Sequence, residues 1–374
     1  MKFTHAASAG ALALVAALAL SSCASTPSTP AASNTPKASS AAIDKNLTGT
    51  ITAGGSSAQA NAEAAWIAAF KTQAAGVTIN YDKSQGSGGG VTNWLAGSYD
   101  FAGSDSPLSP VQQTAAATLC GAGGALNLPV YLDGVAIVFN LTGVSKLNLS
   151  SATVAKIFSL QVKTWNDPAI AADNPGVTLP ATAITTVTRS DGSGTTQNFT
   201  NYLSTVQPTV WTSPASNKWP IAGSSAQQGG SGVVNTVKAG NGTIGYADHS
   251  AIGTLTAASI QVGTDKDFVA FSPKGATNAF TAAAVAAPTT VKGDLAQKLD
   301  YTKITDKSAY PIPLVSYQIV CSAFKTPAQA KLVKAYVGYI ASDIGQKITA
   351  ANAGSAPIPA SMLASIQKSL ALVK

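Results

Sequence analysis

Three short segments gather the residue types that hold an oxyanion: Gly54-Gly55-Ser56-Ser57, Gly86-Ser87-Gly88-Gly89-Gly90 and Arg189-Ser190-Asp191-Gly192-Ser193-Gly194-Thr195-Thr196. Glycine lets a backbone approach a ligand closely, and serine or threonine adds a hydroxyl donor. Where such a turn opens a helix, the first N–H groups carry partial positive charge and suit an anion. Any one of these turns is also what an ordinary helix N-cap looks like. Three in one chain are a stronger signal, because the third carries the only arginine of the sequence, Arg189. A guanidinium forks onto two oxygens of one ligand, which the ammonium of lysine cannot do.

Enzyme chemistry has less to work with. Ser193, between Gly192 and Gly194, has the setting of a nucleophile, but a catalytic serine needs a base in reach. The two histidines are His5 and His249. His5 falls in a leader, so His249 is the one candidate base for a Ser-His-Asp hydrolase; a Ser–Lys pair is the other form open to it. No Gly-Lys dipeptide occurs, so the G-x-x-x-x-G-K-[ST] phosphate loop is absent. The cysteines are solitary and give no metal-ligand spacing, so neither metal nor cofactor is expected.

The turns need strand-to-helix junctions to hold them. Alternating and β-rich runs predict strands near 50–53, 77–81, 100–103, 130–140, 184–188, 244–246, 268–271 and 315–321. Helical spacing predicts helices near 58–71, from 91 onward, and at 154–158, 196–203, 328–342, 344–351 and 362–371. This alternation argues for α/β sheets flanked by helices, whose ligands sit at the carboxyl ends of strands. Trp66, Trp94 and Trp165 read as core aromatics, Glu63 as a solvated helix residue, and His249 as a surface residue. The segment from Trp211 to Trp219 reads as a polar insertion without an assigned role.

Charged residues make up only 10% of the 374-residue chain, against about 25% in typical soluble domains. Lysine and arginine total 23 and acids 16, a balance mildly attractive to anions. One arginine among these does not read bases, so no nucleic-acid partner is expected. The apolar run from Ala6 to Leu20 fits a signal-peptide core and is too short to span a bilayer comfortably. It ends in Leu20-Ser21-Ser22-Cys23, which resembles the lipobox of bacterial lipoproteins; an ordinary secretory signal is the alternative. Acylated Cys23 would begin the mature chain, with residues 1–22 removed and 23–46 serving as a Ser/Thr/Ala/Pro-rich tether. In an exported protein the remaining Cys120 and Cys321 suggest one disulfide, or else two buried thiols.

Taken together, the segments resemble the phosphate-binding proteins of bacterial ABC-type phosphate importers. The likeness rests on Gly54–Ser57 followed by Trp66, on Tyr81 to Val91, on DFAGSDSPLS at 100–109 and on KTWNDPAI at 163–170. It continues through RSDGSGT at 189–195, NFTNYL at 198–203, Gly245-Tyr246 and YPIP at 310–313. The resemblance implies a type II periplasmic-binding-protein fold: two α/β lobes, each a mixed sheet flanked by helices, with the ion in the cleft between them. Lobe 1 would comprise 47–130 with 311–374, and lobe 2 would comprise 131–310. It implies a monomeric receptor lipoprotein outside the cytoplasm, delivering inorganic phosphate to permease subunits and catalysing nothing. Other readings are a receptor for another oxyanion or a phosphate-sensing lipoprotein.

The ligand set implied by the resemblance is Ser57 with the amide of Ala58, Ser87, Asp105, Arg189, Ser193, Gly194 and Thr195. Asp191 would hold Arg189 in place. Some relatives carry threonine and a bulky aromatic where this chain has Ser57 and Ala58. A carboxylate in an anion site makes sense if the ligand carries a proton: phosphate keeps a P–O–H to donate to Asp105, and sulfate has none.

Overall fold

The computed structural model describes residues 43–374 apart from Asp265 and Lys266. The expected leader, Cys23 and the expected tether up to residue 42 lie outside the described residues. The strands are β1 (Thr48–Gly55), β2 (Gly76–Asp82), β3 (Phe101–Ser104), β4 (Ala125–Asn140), β5 (Asn148–Leu149), β6 (Thr185–Arg189), β7 (Ser225–Gln227), β8 (Thr243–Asp248), β9 (Thr256–Ala257), β10 (Ser259–Gln261), β11 (Phe268–Val269), β12 (Ala284–Ala286), β13 (Gln297–Leu299) and β14 (Pro313–Cys321). The helices are α1 (Ala60–Gln73), α2 (Gly86–Leu95), α3 (Pro110–Cys120), α4 (Ser151–Phe158), α5 (Pro168–Asp173), α6 (Gly194–Val206), α7 (Gly229–Ala239), α8 (Pro273–Ala283), α9 (Pro327–Ile340), α10 (Asp343–Ala353) and α11 (Ala360–Ala371).

One sheet runs β2-β1-β3-β14-β4-β8-β6-β7, with β9 added alongside β4. β4 joins its two halves. Residues Ala125 to Gly134 pair antiparallel with β14, and Val135 to Asn140 pair antiparallel with β8. Outward from this centre, β1 is parallel to β2 and β3, and β8 and β7 are parallel to β6. The apolar run in β4 is buried along all but its last residue, as a central strand covered on both faces must be. Every strand expected from the sequence has a counterpart. The second helix differs: it begins at Gly86, within the glycine run that seemed only to break the strand. A Cβ on Gly90 would lie 2.3 Å from the Gly55 Cα, so α2 can press its backbone onto β1 only with glycine there.

The core centres on aromatics. Phe70 of α1 meets Tyr336 and Tyr339 of α9 edge-on, with ring centroids 5.3 and 5.5 Å apart. Trp66, Trp94 and Trp165 are buried, as their composition suggested. Ile43 packs against the core and Asp44 pairs with Lys331 at 2.7 Å, so residues at the end of the expected tether are docked. Cys120 and Cys321 are joined by a disulfide that closes a sequence separation of 201.

Glu63 departs from its expected solvated position. It is 1% exposed, accepting from the Tyr336 hydroxyl at 2.6 Å and from the Gln318 amide. Burial pushes its carboxyl from 4.5 up to about 7, against those two hydrogen bonds. The folded chain therefore holds a proton that the unfolded chain releases, and stability falls as pH rises from about 4.5 to about 7, by roughly 3 kcal/mol. Urea unfolding across pH 4 to 8 should show this decline flattened in Glu63→Gln. The part that persists belongs to the other buried carboxylates, Asp105, Asp133 and Asp248 among them, which burial also raises.

A candidate anion site at the carboxyl ends of the strands

The chain leaves β1, β3 and β6 into the segments that carry the candidate residues, and leaves β2 through a short 3-10 turn (Lys83–Gln85) into α2. This is where open α/β sheets gather ligands. Asp105 follows β3 directly and is buried. Its Oδ1 accepts from the Ser316 hydroxyl at 2.6 Å and from the Ser56 hydroxyl; its Oδ2 accepts from the Thr195 hydroxyl at 3.0 Å. Burial raises the Asp105 carboxyl, and the three hydroxyls and the Arg189 charge oppose the rise.

Residues from the two ends of the sheet interlock around this carboxylate. The Asp105 amide donates to the Ser87 hydroxyl at 3.2 Å, and its carbonyl accepts from the Asn198 side-chain amide at 2.6 Å. The Gly88 amide donates to the Gly192 carbonyl at 2.7 Å, and the Gly230 amide to the Ser57 hydroxyl at 3.2 Å. A Cβ on Gly194 would lie 2.6 Å from Ser87 Oγ and 2.7 Å from Asp105 Cβ. Gly194→Ala must therefore push the halves apart, and titration calorimetry should show anion affinity reduced by about tenfold, or about 1.4 kcal/mol.

Arg189 ends β6. Its Nε donates to Asp191 Oδ1 at 2.7 Å and its Nη2 to Asp191 Oδ2, with both side chains under 10% exposed. One prong of the guanidinium thus grips Asp191, and the remaining N–H groups are left for a ligand. Burial works to raise the Asp191 carboxyl, but the hydrogen bonds and charge of Arg189, with an N–H from Gly229, hold it below the usual range. Ser193 caps α6, accepting from the Thr196 amide at 3.1 Å.

The sequence-derived set is thus largely brought together: Ser87, Asp105, Gly194 and Thr195 touch one another, and Arg189 acts on Asp105 through its charge. Ser57 instead faces the start of α7, and the Ala58 amide is taken up by Ser56 Oγ at 3.1 Å. The reading missed Ser56 and Ser316, and it gave no role to the Trp211–Trp219 segment. That segment is structural: the Asn217 carbonyl accepts from the Ser193 amide at 2.8 Å, and Trp219 lies against Phe158, Phe199 and Tyr246. His249 stacks on Phe271, with ring centroids 3.9 Å apart. It lines a different cavity with Ser250, Ile252 and Gly354, to which Ser193 does not contribute.

A sheet of two α/β halves joined through β4, with candidate residues from both halves meeting at Asp105, is the architecture of a two-lobed solute-binding protein. Residues 28–343 match the PBP superfamily domain. The chain is 37% identical over 291 residues to phosphate-binding protein PstS 3 of Mycobacterium leprae, covering 77% of this chain and 78% of that protein. Against PstS 3 of Mycobacterium tuberculosis it is 35% identical over 306 residues, covering 81% of each. Its fold superposes on the phosphate-binding protein of Stenotrophomonas maltophilia with a TM-score of 0.67 at 21% identity, covering 86% of this chain and 93% of that one. The chain belongs to the PBP superfamily and, within it, to the PstS family.

Proposed function

We propose that this protein is a receptor for inorganic phosphate that delivers the ion to an ABC importer in the membrane and does no chemistry on it. The observation that carries the reading is the double commitment of the site: Asp105 from one half accepts from Thr195 of the other and lies within reach of the Arg189 charge. A tetrahedral anion leaving water needs many donors to replace its hydration, and this arrangement offers a guanidinium, hydroxyls and the start of α6 together. The proposed ligand set is Ser57, Ala58, Ser87, Asp105, Arg189, Ser193, Gly194 and Thr195. The lobes divide as 47–130 with 311–374, and 131–310, a division supported by the change of partner along β4 at Gly134 and Val135.

The receptor acts as a monomer outside the cytoplasm, tethered through acylated Cys23; the sequence Leu20 to Cys23 supports the anchor. Among the described residues, no helix is long and apolar enough to cross a membrane. Ligand closes the lobes because it binds the closed arrangement more tightly than the open one. Calorimetry on the mature protein, stripped of copurified ion, tests the reading with phosphate, sulfate and a phosphate monoester. Saturable phosphate binding, weak sulfate binding and an unhydrolysed ester are expected, with compaction on phosphate in small-angle scattering. Turnover of the ester, or indifference to phosphate, overturns the reading.

A further inference from the structure

We propose that Glu63 is a positioning residue of the anion site: with Gln318, Gln59 and Ser316 it forms an unbroken hydrogen-bonded chain that holds the Ser316 hydroxyl as a donor to Asp105. The inference rests on Asp105 being the carboxylate that receives the anion. Gln318 Nε2 donates to Glu63 Oε1 and, at 3.0 Å, to Gln59 Oε1. Gln59 Nε2 donates to Ser316 Oγ at 2.6 Å and to the Tyr317 carbonyl at 3.0 Å. Ser316 Oγ then donates to Asp105 Oδ1 at 2.6 Å. All five residues are buried. Gln59 and Glu63 are one turn apart at the start of α1, and Ser316 and Gln318 share a face of β14, so the two pairs interleave.

The direction of each bond matters. A hydroxyl that receives an N–H keeps its own proton for Asp105. If Gln59 presented its carbonyl instead, Ser316 would give that proton to Gln59 and Asp105 would lose a donor. The Tyr317 carbonyl and the Gln318 amide together keep Gln59 as it is. Glu63 supplies the second acceptor that keeps the Gln318 NH2 group turned toward Gln59. Among the described residues the buried Gln318 carbonyl oxygen has no partner, so it does nothing to oppose a flip. Tyr336 from α9 donates to Glu63, and Tyr81 from β2 lies within reach of the Glu63 and Asp105 charges; the charges of Arg189 and Asp248 also act on Asp105.

The test reads the Asp105 carboxyl by carbon-13 NMR in the ligand-free mature chain, alongside inorganic phosphate titration and thermal unfolding. Glu63→Leu and Gln318→Met, which break the chain at two places, are expected to raise the Asp105 midpoint by about one pH unit and weaken phosphate binding about tenfold. Glu63→Gln, which keeps an acceptor toward Gln318, is expected to restore both. If Glu63→Leu and Gln318→Met only lower the melting temperature and leave the Asp105 midpoint unmoved, the proposal is overturned. A loss in Glu63→Gln equal to that in Glu63→Leu overturns it as well. A wild-type chain indifferent to phosphate would defeat the functional reading alone, since the Asp105 midpoint is measured without ligand and still decides the chain.

Discussion

Arg189→Met should weaken phosphate binding by about a thousandfold, or about 4 kcal/mol. Arg189 is the only guanidinium in the chain, and it is held in a buried ion pair by Asp191. Removing it costs twice: the ligand loses its strong cation, and Asp191 is left in a largely buried setting with only backbone N–H groups, its own and that of Gly229, to hold it. Arg189→Lys separates charge from geometry. An ammonium keeps the charge but cannot grip Asp191 with one edge and the anion with the other, so an intermediate loss of about a hundredfold is expected. Calorimetry on both variants, with circular dichroism to establish that they are folded, measures the difference. If Arg189→Lys binds as tightly as the wild type, the fork has no part in recognition.

How much of this was legible beforehand depended on how local each signal was. RSDGSGT could be read because a strand end, a turn and a helix start lie within one short stretch, and β4 could be read because a covered strand is apolar along its length. Ser56 and Ser57 could not be told apart, since adjacent hydroxyls point to different partners and only the turn geometry assigns Ser56 to Asp105. Glu63 looked like a surface residue because helix periodicity says nothing about α9 closing over it. Its partners Gln318 and Tyr336 lie 255 and 273 positions away. Helices α7 and α8 went unread because their first turns, Gly229-Gly230-Ser231-Gly232 and Pro273-Lys274-Gly275-Ala276, carry no large apolar residue to mark a face. Helix α3 went unread too, although its capping box between Ser109 and Gln112 with Pro110 at the first position was a usable mark.

Asp105→Asn should shrink the preference for phosphate over sulfate by about a thousandfold. An ionised carboxylate has about four acceptor positions. Three are occupied here, two on Oδ1 by Ser56 and Ser316 and one on Oδ2 by Thr195. The position left on Oδ2 suits one incoming proton. Phosphate near neutral pH brings that proton, whereas sulfate brings only lone pairs and would meet a negative oxygen in a dry site. In the asparagine variant, Oδ1 can keep Ser56 and Ser316 while the amide takes the place of Oδ2. Thr195 can turn its hydroxyl to accept, and the second amide N–H points at the ligand as a donor. Sulfate then meets a donor in place of a repelling acceptor, and phosphate loses the acceptor for its P–O–H. Competition titrations of wild type and variant at one pH and ionic strength give the ratio directly. Lowering the pH of the wild type should move it the same way, because protonating Asp105 fills the acceptor position that phosphate needs. A variant that still excludes sulfate as strongly as the wild type would remove Asp105 from the basis of selectivity and leave shape and the Arg189 fork to explain it.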